Sequence, residues 1–284
     1  MKKWIVFVIL LCTTLTGCRQ NTPSQVVATT LPVYDFSVAL CENTGISVSR
    51  LVTEQVSCLH DYTIQVSQMR SVESAQVVVQ SGAGLEAFLA DILVNAAYVI
   101  DASADIEAAC GDTHEGHHHE HDPHIWLSPI NAKQMCKTIC AGLTAQFPAH
   151  RAQFETNLQQ LLLQLDNLQA YGEATLKDLS CRDLITFHDG FAYFADSFDL
   201  HILKAVEEES GSEASANELT VLAELVNANR LPAIFTEENG STASAEIIAR
   251  ETGIRIFTLD MGMAKRGYFD AMYHNIDTIK EALG

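Results

Sequence analysis

From residue 26 to the C-terminus, the apolar positions fall into two alternating rhythms. Short continuous runs such as Val26-Val27-Ala28, bounded by polar turn residues, read as buried strands, and apolar residues spaced three and four apart read as helix faces. On that basis residues 26–30 predict a strand, 33–41 a helix and 46–52 a β-rich run. A helix over 64–72, a valine-rich strand over 76–80, a helix over 84–93 and a strand over 97–100 continue the alternation. Strands that are apolar throughout belong in parallel sheets covered on both faces. A further helix is expected over 131–143. Pro148 then stands where a helix start accepts proline, and Phe154, Leu158, Leu161, Leu162, Leu165 and Leu168 form an apolar stripe along a helix expected to reach about residue 179. At ~1.5 Å per residue such a helix spans roughly 45 Å, which suits a rigid connector between lobes. Beyond it, strands at 184–187, 201–206, 233–236 and 254–259 alternate with helices at 190–197, 217–227, 242–252 and 268–283. The expectation is an α/β protein of two lobes, each a mainly parallel sheet flanked by helices, joined by one long rigid helix. The N-terminal lobe is placed at 26–145, the connecting helix at 146–180 and the C-terminal lobe at 181–284.

Residues 1–25 stand outside this rhythm. Lys2 and Lys3 precede an apolar stretch over 4–11, and small or polar residues lead to Leu15-Thr16-Gly17-Cys18, the layout of a secretory signal over 1–18. Leu-Thr-Gly-Cys resembles the bacterial lipobox, which implies cleavage before Cys18 and its lipidation. The apolar run is short against the ~20 residues that cross a bilayer. An exported protein is expected, periplasmic or lipid-anchored at the outer face of the cytoplasmic membrane, with 19–25 as a flexible tether.

A second break falls at 114–124, His-Glu-Gly-His-His-His-Glu-His-Asp-Pro-His, which holds six of the chain's eleven histidines. Imidazole and carboxylate are the ligands that borderline divalent ions such as zinc take, and no packed core needs histidine at this density. Residues 112–121 predict a histidine-rich loop in which His114, His117, His118, His119 and His121 are auxiliary metal sites. His124 is instead expected to open an ordered strand through Ile125-Trp126-Leu127.

A formal net charge of −19 argues against nucleic acid as a partner, and 48% apolar residues place the chain among globular proteins. With Cys12 in the leader and Cys18 carrying lipid, Cys41, Cys58, Cys110, Cys136, Cys140 and Cys181 remain. Six cysteines permit fifteen pairings, and no pairing is selected.

In open α/β sheets, ligands gather beyond the carboxyl ends of strands. His60, in Cys58-Leu59-His60-Asp61-Tyr62, follows the 46–52 run through a loop. His124 follows the histidine-rich run, His188 ends strand 184–187, and Asp260 ends strand 254–259. Two come from each lobe, so one ion held by all four would sit in the cleft. Three imidazoles and one carboxylate make the four-coordinate shell that zinc prefers, whereas calcium or magnesium would take mostly oxygen. Asp189 and Glu237 are candidates to orient the imidazoles. Two other classes fit less of the pattern: a zinc hydrolase, which needs an open position for water beside a general base, and a surface metal-storage protein or adhesin.

The segments His60-Asp61-Tyr62, Gly82-Ala83-Gly84-Leu85-Glu86, Asp122-Pro123-His124-Ile125-Trp126-Leu127-Ser128-Pro129, Thr186-Phe187-His188-Asp189-Gly190-Phe191, Phe235-Thr236-Glu237, Ile248-Ala249-Arg250-Glu251-Thr252-Gly253 and Leu259-Asp260 resemble the lipoprotein-type substrate-binding proteins of zinc and manganese ABC transporters. The likeness covers nearly the whole chain beyond its leader, in order. It implies two α/β lobes joined by a rigid helix, with His60, His124, His188 and Asp260 as ligands of an ion between them. It implies no enzymatic chemistry, and a monomer that delivers its ion to a permease with an associated ATPase. Manganese-binding members carry glutamate where this chain has His188, so the resemblance points to Zn2+ ahead of Mn2+. The chain departs from the family at Thr63-Ile64-Gln65-Val66-Ser67 after His60, and at the acidic run Glu207-Glu208-Glu209.

Overall fold

The fold was obtained as a computed structural model, which describes residues 24–54, 59, 62–106, 122–206, 214–263 and 265–284. The predicted leader, the histidine-rich loop, the acidic run and His60 lie outside the described residues.

The strands predicted by continuous apolar runs assemble into two parallel sheets. In the N-terminal lobe β1 (Val26–Ala28), β2 (Val48–Arg50), β3 (Val77–Gln80) and β4 (Val99–Asp101) stand in the order β2-β1-β3-β4, with Val27 paired to Ser49 on one side and Val78 on the other. In the C-terminal lobe β5 (Asp183–Thr186), β6 (His201–Ala205), β7 (Ala233–Glu237) and β8 (Arg255–Leu259) repeat the arrangement as β6-β5-β7-β8, with a register slip between Leu184 and Ile185. Each first strand therefore has the chain leaving on both sides of it, which opens a crevice at its carboxyl end.

Helices cover the sheets. Those of the first lobe are α1 (Leu31–Cys41), α2 (Val66–Ser74), α3 (Ala90–Leu93) and α4 (Pro129–Gln146). After the long α5 (Arg151–Leu176) come α6 (Ala192–Ser197), α7 (Ala216–Asn229), α8 (Ala243–Thr252) and α9 (Tyr268–Leu283). The helix expected over 84–93 is a 3-10 turn at Ala87–Leu89 running into the short α3. Its start is lost to a loop in which Gly82, Ala83 and Gly84 all take positive φ. A side chain at Gly82 would collide with Asp101 Oδ1, so glycine is required there.

Helix α5 is 26 residues long, roughly 39 Å, shorter than expected. Both ends are anchored. Near its start, the Asn157 amide donates to the Leu40 and Glu42 carbonyls at the end of α1, each at 2.8 Å. Near its end, the Arg182 guanidinium donates to the otherwise orphaned Leu176 and Lys177 carbonyls and also to those of Phe198 and Asp199. Gly172 lets Phe198 lie against the helix, where any side chain would collide with the ring. Leu161, Leu165 and Leu168 are buried in a core that runs through both lobes.

A seam of specific contacts holds the lobes together close to the cleft. The Trp126 indole donates to the Met261 carbonyl at 2.7 Å, and the Tyr268 hydroxyl donates back to the Trp126 carbonyl at 2.9 Å. Asp35 of α1 accepts the Tyr268 amide at the start of α9, and Phe36 packs edge-on against the Tyr268 ring. Among the described residues, no helix is long and apolar enough to cross a membrane.

Candidate metal centre

His188 stands two residues beyond β5 because Leu184-Ile185-Thr186-Phe187 buries itself and carries the next side chain into the crevice, where His188 is 2% exposed. His124 arrives differently. The strand expected from His124 onward is a 3-10 turn, Ile125–Leu127, that leads into α4. The reason is local: Asp122 Oδ1 accepts the His124 amide at 2.9 Å and lies 2.8 Å from its Nδ1, so Asp122-Pro123-His124 folds back on itself, and Ser128 caps α4 directly afterwards. Ile125, Trp126 and Leu127 bury their side chains as a turn instead of a ladder.

The two imidazoles, one from each lobe, meet edge to face with ring centroids 5.2 Å apart. Gly190 makes this possible. A Cβ there would lie 2.8 Å from both His124 Nδ1 and His188 Cδ2, and 2.7 Å from Met261 Cε. Each ring has a carboxylate on its Nδ1 side: Asp122 for His124, and buried Glu237, with Oε2 at 3.4 Å, for His188. Nε2 is then the nitrogen each ring offers to an ion. Asp189, the other candidate for orienting an imidazole, is exposed.

Asp260 follows β8 and immediately precedes Met261, the residue that closes over Gly190. Its backbone is fixed by Asn275, whose side chain accepts from the Asp260 amide and donates to its carbonyl, both at 2.8 Å. Oδ1 accepts the Gly262 amide at 2.7 Å; Oδ2, buried, accepts no hydrogen bond among the described residues. Burial pushes the carboxyl above the ordinary aspartate value, and neighbouring Glu238 adds to this. The Gly262 amide, Arg266 and His274 oppose it.

The structure thus brings His124 and His188 together, and Asp260 stands just past the end of β8, in the same sheet that carries His188. His60, His114, His117, His118, His119, His121 and Cys18 lie outside the described residues. Among those that are described, no three histidine, cysteine, aspartate or glutamate side chains are close enough to hold an ion by themselves. Residues 114–118 read His-Glu-Gly-His-His and so match the His-Glu-x-x-His spacing of zinc hydrolases. That spacing works when both histidines share a helix face, and this run too lies outside the described residues. The sequence reading missed Asp122, Glu238, Arg266 and Asn275. Only Asp122 left a signal, through its position two residues before His124 in a turn-forming Asp-Pro pair.

Two parallel α/β sheets bridged by one helix, with buried imidazole and carboxylate groups where the second sheet's carboxyl end meets the 122–127 turn, define a bilobed binding protein. The family model for "Zinc-uptake complex component A periplasmic", ZnuA, matches residues 26–282, and the chain belongs to that family. The high-affinity zinc uptake system protein ZnuA of Bacillus subtilis is 27% identical over 99% of this chain and 98% of its own length. A crystal structure of ZnuA superposes with a TM-score of 0.81 at 28% identity, covering 92% of this chain and all of that one. Zn(II)-bound AdcA from Streptococcus pneumoniae superposes with a TM-score of 0.78 at 26% identity over 91% of this chain, which spans only 57% of AdcA.

Proposed function

We propose that this chain is an extracytoplasmic receptor that captures Zn2+ between its lobes and hands it to the permease of an ABC transporter, without bond chemistry of its own. The observation that carries the reading is the cross-lobe pair His124–His188, each ring backed by a carboxylate on Nδ1. Carboxylate-backed imidazoles are orientated and basic ligands, a combination suited to zinc. His60 and Asp260 complete a shell of three nitrogens and one oxygen, and this nitrogen-rich set favours Zn2+ over Mn2+. Family membership and the zinc-binding relatives support the same cargo. Cys18 carries the lipid that holds the receptor at the membrane surface, where a monomer meets the permease and its ATPase. His114, His117, His118, His119 and His121 concentrate zinc near the cleft through weak, fast sites.

Elemental analysis and a Zn2+ titration of the purified chain test the reading. One tightly held zinc per chain is expected, lost on His188→Ala. Retention of that zinc by both His188→Ala and Asp260→Ala would overturn the assignment.

A further inference from the structure

The two oxygens of the Asp260 carboxylate have different neighbours. Oδ1 is held by the Gly262 amide, and Oδ2 accepts no hydrogen bond among the described residues but has Arg266 Nη1 3.6 Å away. The same Nη1 is bonded to Glu238 Oε1. One guanidinium nitrogen therefore stands between two acids, Glu238, whose side chain is 29% exposed, and a ligand candidate that is 1% exposed. At 3.6 Å the contact is within Coulomb range of Oδ2 yet longer than a hydrogen bond. A guanidinium keeps its charge at every physiological pH. Arg266 itself is 39% exposed, on the 260–267 segment that joins β8 to α9, so its head group has room to shift between the two acids.

We propose that Arg266 is a movable counter-cation for Asp260. It competes with the incoming ion for Oδ2, and Glu238 is the second acid that holds it once the ion has taken that oxygen. Entry and exit of zinc then exchange one cation for another at a buried carboxylate, which avoids stranding an uncompensated charge at either stage. Arg266 is a positioning residue and not a ligand: it lowers affinity while speeding release. The inference rests on Asp260 being a zinc ligand.

The test measures Zn2+ affinity of the full chain by competition with a chromophoric chelator, and release by trapping freed zinc with excess chelator. Arg266→Gln is expected to bind zinc about three- to fivefold more tightly and to release it correspondingly more slowly, the size expected of a partly exposed ion pair. Glu238→Gln is expected to weaken binding, and that weakening should vanish when Arg266→Gln is added. Equal weakening in both backgrounds would mean that Glu238 acts only as a nearby charge, and weaker binding in Arg266→Gln would mean that the arginine merely supports the loop; either overturns the inference. Asp260→Ala separates the two levels. If it binds zinc as wild type does, the ligand assignment fails. If it loses zinc while Arg266→Gln is unchanged or weaker, only the role of Arg266 fails. Should Arg266→Gln not fold by circular dichroism, Arg266→Met carries the sign test: it keeps an unbranched stem and removes the charge, so release slower than wild type is expected, and unchanged or faster release overturns the proposal.

Discussion

The two lobes share one sheet topology and use its crevice in opposite ways. In the N-terminal lobe, the crevice between β1 and β3 is closed by its own polar groups. Buried Glu86 accepts the Thr29 hydroxyl at 2.6 Å and the Ser81 and Gly82 amides at 2.7 and 3.0 Å, while Thr30 and Ser81 bond to each other at 2.8 Å. Every one of those partners belongs to the same lobe, and the carboxylate serves to fold a loop. In the C-terminal lobe, the matching crevice between β5 and β7 holds His188 and Glu237, with Asp260 beyond β8. There Asp260 Oδ2 is buried without a hydrogen bond among the described residues. Leaving such a group without a full complement of partners costs about 1–3 kcal/mol, which a fold tolerates where a ligand offsets it. On the proposed reading, one crevice stabilises the protein and the other is reserved for cargo. The N-terminal lobe reaches that cargo site through the 122–127 turn, whose His124 comes from outside its own sheet.

The sharpest way to break this contrast is to substitute both kinds of crevice and measure both properties. Asp260→Ala and His188→Ala should each weaken zinc binding by more than about 100-fold, beyond what loss of a residue behind the ligands costs. Without zinc, the thermal stability of His188→Ala should change little, and Asp260→Ala should lose no more than the about 1–3 kcal/mol of orphaning the Gly262 amide that Oδ1 accepts. A large fall in stability with zinc affinity intact would place these residues with Glu86.

Glu86→Gln should behave in the reverse sense. Oε2 accepts the Gly82 amide, so an amide nitrogen in its place sets donor against donor, and a loss of about 1–3 kcal/mol is expected in denaturant unfolding, with zinc affinity of the folded protein retained. The pH dependence adds a check. Desolvation is the largest influence on Glu86 and raises its pKa, against the Thr29, Ser81 and Gly82 hydrogen bonds. Because the folded value lies above the unfolded one, stability falls as pH rises through the interval between them. Glutamine does not titrate, so the wild-type advantage should narrow across that interval; an advantage that widens with pH would contradict the direction given.

Much of this contrast was legible in the chain, and what was not has identifiable causes. Continuous apolar runs marked the central strands β1, β3, β5 and β7, because a strand buried on both faces has little freedom in composition; the outer strands β2, β6 and β8 are more exposed and were marked by their β-rich composition and the alternation with helices. Strand ends marked His188 and Asp260, since a buried strand delivers its next residue to the crevice. The stretch after His124 misled, because Ile125-Trp126-Leu127 is as apolar as a strand, and the bond that the His124 amide donates to the Asp122 carboxylate folds the chain into a 3-10 turn there. The helix expected over 84–93 failed for a similar reason, as positive φ at 82–84 spends its first turn on the loop around Glu86. Arg266 and Glu238 left no trace, because a pair 28 positions apart in connecting segments has no period to betray it.

Glu237→Gln tests the carboxylate behind His188 and should have a smaller effect. Glu237 Oε2 lies 3.4 Å from His188 Nδ1, where a carboxylate fixes the ring's orientation and raises its basicity. Glutamine keeps the shape and removes the charge, so zinc affinity should fall by about 10- to 100-fold. Acid release follows from the same picture. Protonated imidazoles cannot coordinate, so zinc should leave as pH drops below neutral, and the variant, lacking the negative charge that strengthens the imidazole as a donor, should hold zinc more weakly at every pH. An affinity constant from neutral pH to about pH 5 would be incompatible with a shell of three histidines.

The smallest equilibrium effect is expected from deleting residues 112–121, the predicted histidine-rich loop. If the cleft alone sets the tight site, the deletion leaves the titrated affinity nearly unchanged, because the weak sites of His114, His117, His118, His119 and His121 do not enter the closed shell. The rate should change instead: weak ligands that exchange quickly raise the local zinc concentration near the cleft, so uptake from dilute, chelator-buffered zinc should slow. Stopped-flow acquisition separates rate from affinity. Loss of the tight site on deletion would mean that the histidine-rich loop supplies a ligand itself, and the division between a folding lobe and a cargo lobe would have to be redrawn around it.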